Sequence, residues 1–328
     1  MIISRTPVRI TFLGGGTDYP EYFLRNGGET LGMAINKYSY VVVNPLPQFS
    51  NHQFRVSYQK IEHTNSLDDI KHPSVRECLR YSGISSGLEV HYTGDLPART
   101  GLGSSSSFTV GLLNALYGYK GQRLGKDDLA RDACQVEQTL IKERVGCQDE
   151  YTCSHGGLVN IHYSASGSVD VTTLRLPPDR FVNLQAHLML FYTGLQRRAH
   201  DVIKEQLQKT NDGDLDDYLG EMKNMASAAV GILANHEKLE EFGELMHAGW
   251  QLKKKFSSAI SNAYVEEMYN KARAAGAIGG KLLGAGSGGF MLFFVPPSRR
   301  ERVFNALSGH GQVDFSCDEQ GTQILFSN

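Results

Sequence analysis

Apolar residues fall in short β-branched and aromatic runs through the first half of the chain and at helical spacing through much of the second. Residues 8–13 and 38–44 predict strands, as do the shorter runs 54–58 and 88–92. Helices are predicted over 73–81, 105–119 and 126–142. Two more strands follow at 159–162 and 169–174, around the turn Ser166-Gly167-Ser168. Pro177-Pro178-Asp179 then breaks the chain. Beyond it, 188–192 reads as a buried strand, and Leu219, Met222, Met225, Ala229 and Ile232 repeat at helical spacing. The methionines there read as core filling. A second amphipathic helix covers 238–255, a third covers 263–275 and ends at Gly276, and strands follow at 289–295 and 323–326. Strands and helices interleave in both halves, which predicts an α/β or α+β fold in two domains, residues 1–179 and 180–328.

The length of 328 residues suits two cores. A formal charge of −2 gives no general attraction to nucleic acid or to an anionic membrane, so any anion site must be local. Five cysteines, none in a Cys-x-x-Cys, argue for a reducing compartment and against a disulfide framework or zinc knuckle. The first residues contain no continuous apolar leader and no run reaches the length of a membrane span, so a cytoplasmic protein is expected.

Three glycine-rich segments carry the candidate chemistry. The central one, Pro97-Ala-Arg-Thr-Gly101-Leu102-Gly103-Ser104-Ser105-Ser106-Ser107, runs straight into an apolar helical pattern. A side-chain-poor loop opening a helix presents free N–H groups and the positive end of the helix dipole, a site for phosphate. Its hydroxyls add donors and a hard oxygen for Mg²⁺. Read alone, it is equally a serine-rich N-cap. The first segment, Pro7-Val-Arg9-Ile-Thr-Phe-Leu-Gly14-Gly15-Gly16-Thr17-Asp18, brings an arginine, three glycines and an aspartate together. Asp18 can accept hydrogen bonds from substrate hydroxyls while Arg9 steadies negative charge; the plainer reading is a tight turn with Asp18 capping a helix over 19–24.

The third segment, Gly279-Gly280-Lys281-Leu-Leu-Gly284-Ala-Gly286-Ser-Gly288-Gly289, contains a formal dinucleotide fingerprint in the wrong context, with a helix expected before it and a strand after it. What remains is a loop that must pack very close to something. Lys281 either supplies charge there or is solvated. Glu137 in a helical tract and Asp149 in a loop complete the set: a phosphate loop, a metal-capable carboxylate and a carboxylate for a hydroxyl acceptor suit phosphoryl transfer. No Gly-x-Ser-x-Gly elbow or His-Glu-x-x-His is present.

In their order and separation, the three segments resemble the GHMP small-molecule kinases, the superfamily of galactokinase, homoserine kinase and mevalonate kinase. The likeness spans Pro7 to Phe290. It implies an N-terminal domain like ribosomal protein S5 domain 2, a ferredoxin-like α+β C-terminal domain, and an active site between them. It also implies that Pro97 and Gly101–Ser106 wrap the phosphates of ATP, that Ser105 and Glu137 hold Mg²⁺, and that Asp149 acts on the attacking hydroxyl as base or orienting charge. Arg9 would stand by the transferred phosphoryl, and Asp18 would grip sugar hydroxyls. Where the best-known members carry Glu-His, this chain has Gly15-Gly16, which enlarges the acceptor pocket. That version resembles the heptose 7-phosphate kinases and, more distantly, fucokinase, which phosphorylate an anomeric hydroxyl. Thr193-Gly194 and Arg197-Arg198 resemble the heptose branch as well.

The implied acceptor site comprises Gly15, Gly16, Thr17, Asp18, Thr193, Gly194, Arg197, Arg198, Lys281, Gly284 and Gly286, with Arg197, Arg198 and Lys281 as cations for a second phosphate. The implied partner is a small sugar phosphate, with no nucleic acid or membrane and with a homodimer left open. Alternatives are a kinase for an unphosphorylated sugar such as fucose and a catalytically silent sugar sensor; the presence of both Glu137 and Asp149 speaks against the latter.

Overall fold

The computed structural model describes residues 1–98, 100–195, 200–235 and 238–328. Among the described residues twelve strands form two sheets. In chain order these are β1 (Ile2–Leu13), β2 (Gly28–Pro45), β3 (Phe54–Ser57), β4 (Ile61–Thr64), β5 (Leu88–Gly94), β6 (Leu158–Tyr163), β7 (Val169–Thr173), β8 (Leu188–Tyr192), β9 (Gly279–Leu282), β10 (Phe290–Phe294), β11 (Gly311–Val313) and β12 (Gln323–Ser327).

The first sheet has the order β12-β1-β2-β5-β3-β4, with β6 and β7 branching from β2. The branch follows from the length of β2: residues Gly28 to Met33 pair with β6, and Ser39 to Pro45 pair with β5. Pro7, which lacks an N–H, is tolerated inside β1 because the register with β2 shifts between Pro7 and Val8. The helix Ser104–Tyr119 lies on this sheet, and only glycine fits at Gly111, where a Cβ would stand 2.7 Å from the Thr6 hydroxyl. Val41, Val43, Val90, Val110, Leu113 and Leu116 form the core between them.

The second sheet is antiparallel throughout, in the order β11-β8-β10-β9. Numbered within this half, that is 4-1-3-2, the order of a ferredoxin-like α+β unit, as expected. Every residue of β10 is buried, which explains its unbroken apolar run. One core joins the halves: Ile10, Phe12 and Leu31 of the first sheet pack with Phe191, Leu219, Trp250 and Phe293 of the second half.

Several expectations need correction. Residues 323–327 belong to the first sheet, because β12 pairs with the edge of β1; a split at 179/180 therefore separates the two sheets but not this last strand. Asp149 lies in the first turn of a helix, Gln148–His155, not in a loop. The tract 126–142 is an α-helix over Lys126–Cys134 followed by a π-helix over Gln135–Ile141, a form that tends to mark functional positions. Asp18 caps no helix; Tyr19 stands at the N-cap of Pro20–Asn26 with no side-chain cap. The third glycine segment opens on a strand, β9, rather than following a helix directly, and its loop joins β9 to β10. No helix among the described residues is long and apolar enough to cross a membrane.

Candidate active site

A cavity of about 870 Å³ lies where the three glycine segments meet. Gly101 and Gly103 both adopt positive φ, and Gly103 is the N-cap of Ser104–Tyr119 with no side-chain cap. The open N-terminus of that helix, with Ser104 and Ser105, therefore faces the cavity as a ready anion site. The third segment holds this loop by backbone contact. A Cβ on Gly101 would lie 2.5 Å from the Leu283 carbonyl, one on Gly284 2.5 Å from Gly101 Cα, and one on Gly289 2.2 Å from the Thr100 carbonyl. The partner that the third segment packs so closely against is the serine loop itself.

Asp149 meets this loop directly, since a Cβ on Gly103 would stand 3.0 Å from Asp149 Oδ2. Arg9 donates through Nε to Asp149 Oδ1 and through Nη2 to Oδ2, each at 2.6 Å, and through Nη1 to the Gly101 carbonyl at 2.6 Å. A bidentate guanidinium of this kind fixes both the plane and the charge of the carboxylate. β1 thus carries Arg9 to the point where the helices of the serine loop and of Asp149 converge.

Glu137 sits behind the serine loop, where it accepts from Ser106 Oγ at 2.9 Å and from Thr109 Oγ1 at 2.6 Å. Burial pushes its carboxyl up to about 7. Glu150, wholly buried beside it, is raised well above the carboxylate range by burial and by the Glu137 charge. Ser106 is the serine that meets Glu137; Ser105 is exposed towards the cavity. These hard oxygens suit Mg²⁺, which commonly takes one carboxylate and completes its shell with phosphate oxygens and water.

At the other end, Asp18 is buried and accepts from the N–H of Gly16 at 2.9 Å and of Gln148 at 3.4 Å. Gly146 makes room for it, because a Cβ there would fall 1.9 Å from Asp18 Oδ2. Burial raises the Asp18 carboxyl. Gly14 and Gly16 are required by positive φ and close packing, whereas a Cβ on Gly15 would meet nothing nearer than 3.7 Å. The space above Gly15 is therefore left open to the cavity.

The structure brings Arg9, Gly15, Gly16, Asp18, Gly101, Gly103, Ser104, Ser105, Asp149, Lys281 and Gly284 to one cavity wall. Other expected positions do not line it. Thr17 is buried and donates to the carbonyls of Gly14 and Glu29, closing the turn. Thr193 is a buried latch: its hydroxyl donates to the Gly289 carbonyl and accepts from the N–H of Gly289 and Leu195. Gly194 is exposed and Gly286 packs on Ile260. Pro97 is exposed, with its carbonyl bound by Thr100, and Leu102 belongs to the core. Arg197 and Arg198 lie outside the described residues.

Three contributors escape sequence reading. Tyr58, His72, Tyr92 and Phe108 form an aromatic end of the cavity from four separate parts of the chain, with no shared motif. Gln148, next to Asp149, accepts from the Thr11 hydroxyl at 2.7 Å and lies beside Gly15; the Gly-x-Gln-Asp spacing was its only signal. Lys253 ends the helix Leu239–Lys253, where amphipathic patterning marks a lysine as solvated, yet it is buried on the cavity wall.

An open helix terminus set against a carboxylate–guanidinium pair suits a small-molecule phosphotransferase. The GHMP kinases N terminal domain family matches residues 71–157, and the GHMP kinases C terminal family matches 226–313. The chain belongs to the GHMP kinase family, enzymes that transfer phosphate from ATP to an alcohol. It is 27% identical over 334 residues to D-glycero-alpha-D-manno-heptose 7-phosphate kinase of Campylobacter jejuni, covering 98% of each chain. It is 26% identical to the L-fucokinase/L-fucose-1-P guanylyltransferase of Bacteroides fragilis, over 99% of this chain and 38% of that one. In fold it resembles a D-glycero-D-manno-heptose 1-phosphate kinase from Bacteriodes thetaiotaomicron, with a TM-score of 0.82 over 99% of each chain at 22% identity.

Proposed function

We propose that the protein phosphorylates the anomeric C1 hydroxyl of a sugar with ATP and Mg²⁺, converting D-glycero-D-manno-heptose 7-phosphate to the 1,7-bisphosphate for a nucleotide-activated heptose of surface glycans. The reaction takes place in the cytoplasm. The observation that carries this reading is the open floor at Gly15: neither backbone conformation nor packing requires glycine there, so the missing side chain serves the acceptor. The full-length similarity to a heptose 7-phosphate kinase supports the choice of sugar.

In this reading the base stacks at the Tyr58, Tyr92 and Phe108 end, and the phosphates lie on Gly101–Ser106. Glu137 and the hydroxyls of Ser105 and Ser106 would hold Mg²⁺, which would supply positive charge to the phosphate oxygens. Asp18 and the Gly15–Gly16 backbone receive the sugar hydroxyls. Asp149 orients the attacking hydroxyl and takes its proton, while Arg9 keeps the carboxylate in one plane.

The test is ADP release measured with heptose 7-phosphate against free fucose, galactose and mannose. Preference for the phosphorylated heptose is expected, and no turnover of it overturns the assignment. A fucose kinase is the second reading, favoured by the fucokinase relative, and turnover of fucose alone would select it.

A further inference from the structure

Two buried ammonium groups in the cavity lack the counter-charge that their burial demands. Lys253 and Lys281 are 8% and 5% exposed and share the wall with Arg9 and Asp18. Each has one protein acceptor: Lys253 Nζ donates to the Gly284 carbonyl, and Lys281 Nζ donates to the Phe12 carbonyl at 2.9 Å. Neither forms an ion pair among the described residues. An ammonium has three donors, so two on each remain unused by the described residues.

The two nearby carboxylates do not answer this charge. Asp149 is engaged on both oxygens by Arg9, and Asp18 is turned to the N–H groups of Gly16 and Gln148. With all five groups ionised, Arg9, Lys253 and Lys281 outnumber Asp18 and Asp149 by one at this part of the wall. A buried cation without a partner is costly, and an apolar side chain of similar length would hold the fold as well. Desolvation lowers the affinity of both lysines for protons, Lys253 to about 8; repulsion from Arg9 adds to this in both, and repulsion from Lys253 adds to it in Lys281. An anion placed between them would relieve that repulsion.

Position indicates which anion. The Phe12 carbonyl held by Lys281 lies on β1, just before Gly14–Gly16. Three residues past Lys253, Phe256 packs over Gly16 together with Gln206. Both lysines therefore lie near Arg9 and Asp18, where the Gly14–Asp18 segment meets the third glycine loop. We propose that Lys253 and Lys281 together bind a phosphate monoester carried by the acceptor. The proposal rests on reading the site as a kinase, and it gives the second phosphate a site that does not require Arg197 or Arg198.

The experiment compares wild type with Lys253→Met and Lys253→Arg on a sugar phosphate and on the same sugar without its phosphate. For Lys253→Met, the kcat/KM ratio between phosphorylated and free sugar should fall about tenfold or more, with the KM for ATP unmoved; Lys253→Arg should restore much of the ratio. Without ligands, Lys253→Met should melt no lower than wild type, and inorganic phosphate should raise the melting temperature of wild type more than that of the variant, which keeps only the serine-loop anion site. Equal losses on both sugars would assign the lysine to the phosphoryl in transfer and overturn the proposal. So would a raised KM for ATP or a large drop in melting temperature. If wild type prefers a different sugar phosphate with the same dependence on Lys253, the heptose assignment fails and the anion site stands.

Discussion

The two ends of the cavity are built by different means. The end proposed for the nucleotide is mostly backbone: a loop with two positive-φ glycines, an open helix terminus and a second glycine loop packed against it. The end proposed for the acceptor depends on side chains and on absences of side chains that come from distant parts of the chain: Asp18, Gln148, Lys253, Lys281 and the open Gly15. A backbone cradle recognises a phosphate whatever the rest of the molecule is, so it suits a donor shared across a family. Side chains set by tertiary packing can be exchanged one at a time, so they suit an acceptor that differs between members.

The sharpest way to break this contrast lies where the ends meet. Asp149→Ala should cut kcat by about 10³-fold while calorimetry still shows binding of a non-hydrolysable ATP analogue. Turnover within tenfold of wild type would remove Asp149 from the chemistry. Next in size is Gly101→Ala, which puts a methyl group 2.5 Å from a carbonyl at a φ of 81°. Chemical denaturation should show a loss of about 1–3 kcal/mol, together with weaker nucleotide binding.

Gly15→Leu tests the opposite end. With no atom closer than 3.7 Å to the new Cβ, stability should change by no more than about 0.5 kcal/mol. The acceptor KM should rise about tenfold with the ATP KM unchanged, and a comparable rise for ATP would erase the division between the ends.

The smallest effect concerns Glu137. It keeps its proton up to about pH 7 in the free protein, against 4.5 for an ordinary glutamate. Between those values the folded state binds more protons than the unfolded chain, so stability should decline as pH rises through this window. Glu137→Gln should flatten that slope and raise the Mg²⁺ concentration needed for half-maximal turnover. An unchanged slope would show that Glu137 is not the group titrating.

Local signals were readable where a residue's own chemistry imposes its conformation. The serine loop starts its helix at Ser104, one residue from the expected start, because glycines and serines end the apolar pattern there. The run at β10 reads as a strand from either direction. Thr193 misled because a hydroxyl in a Tyr-Thr-Gly turn looks the same whether it meets a ligand or, as here, the backbone of Gly289. Asp149 was expected in a loop because Gly146 and polar neighbours hide the start of a short helix.

The chain alone determined the family, through the resemblance of its three glycine segments, and the order of most strands and helices, through apolar spacing within a few residues. Tertiary structure alone decided that β12 returns to β1, that the third glycine segment clasps the serine loop, and that Lys253 is buried on the cavity wall. Each of these joins residues about a hundred or more positions apart, or reverses the exposure that local pattern suggests. Contacts of that kind are set by how the two sheets pack together, which no local spacing encodes.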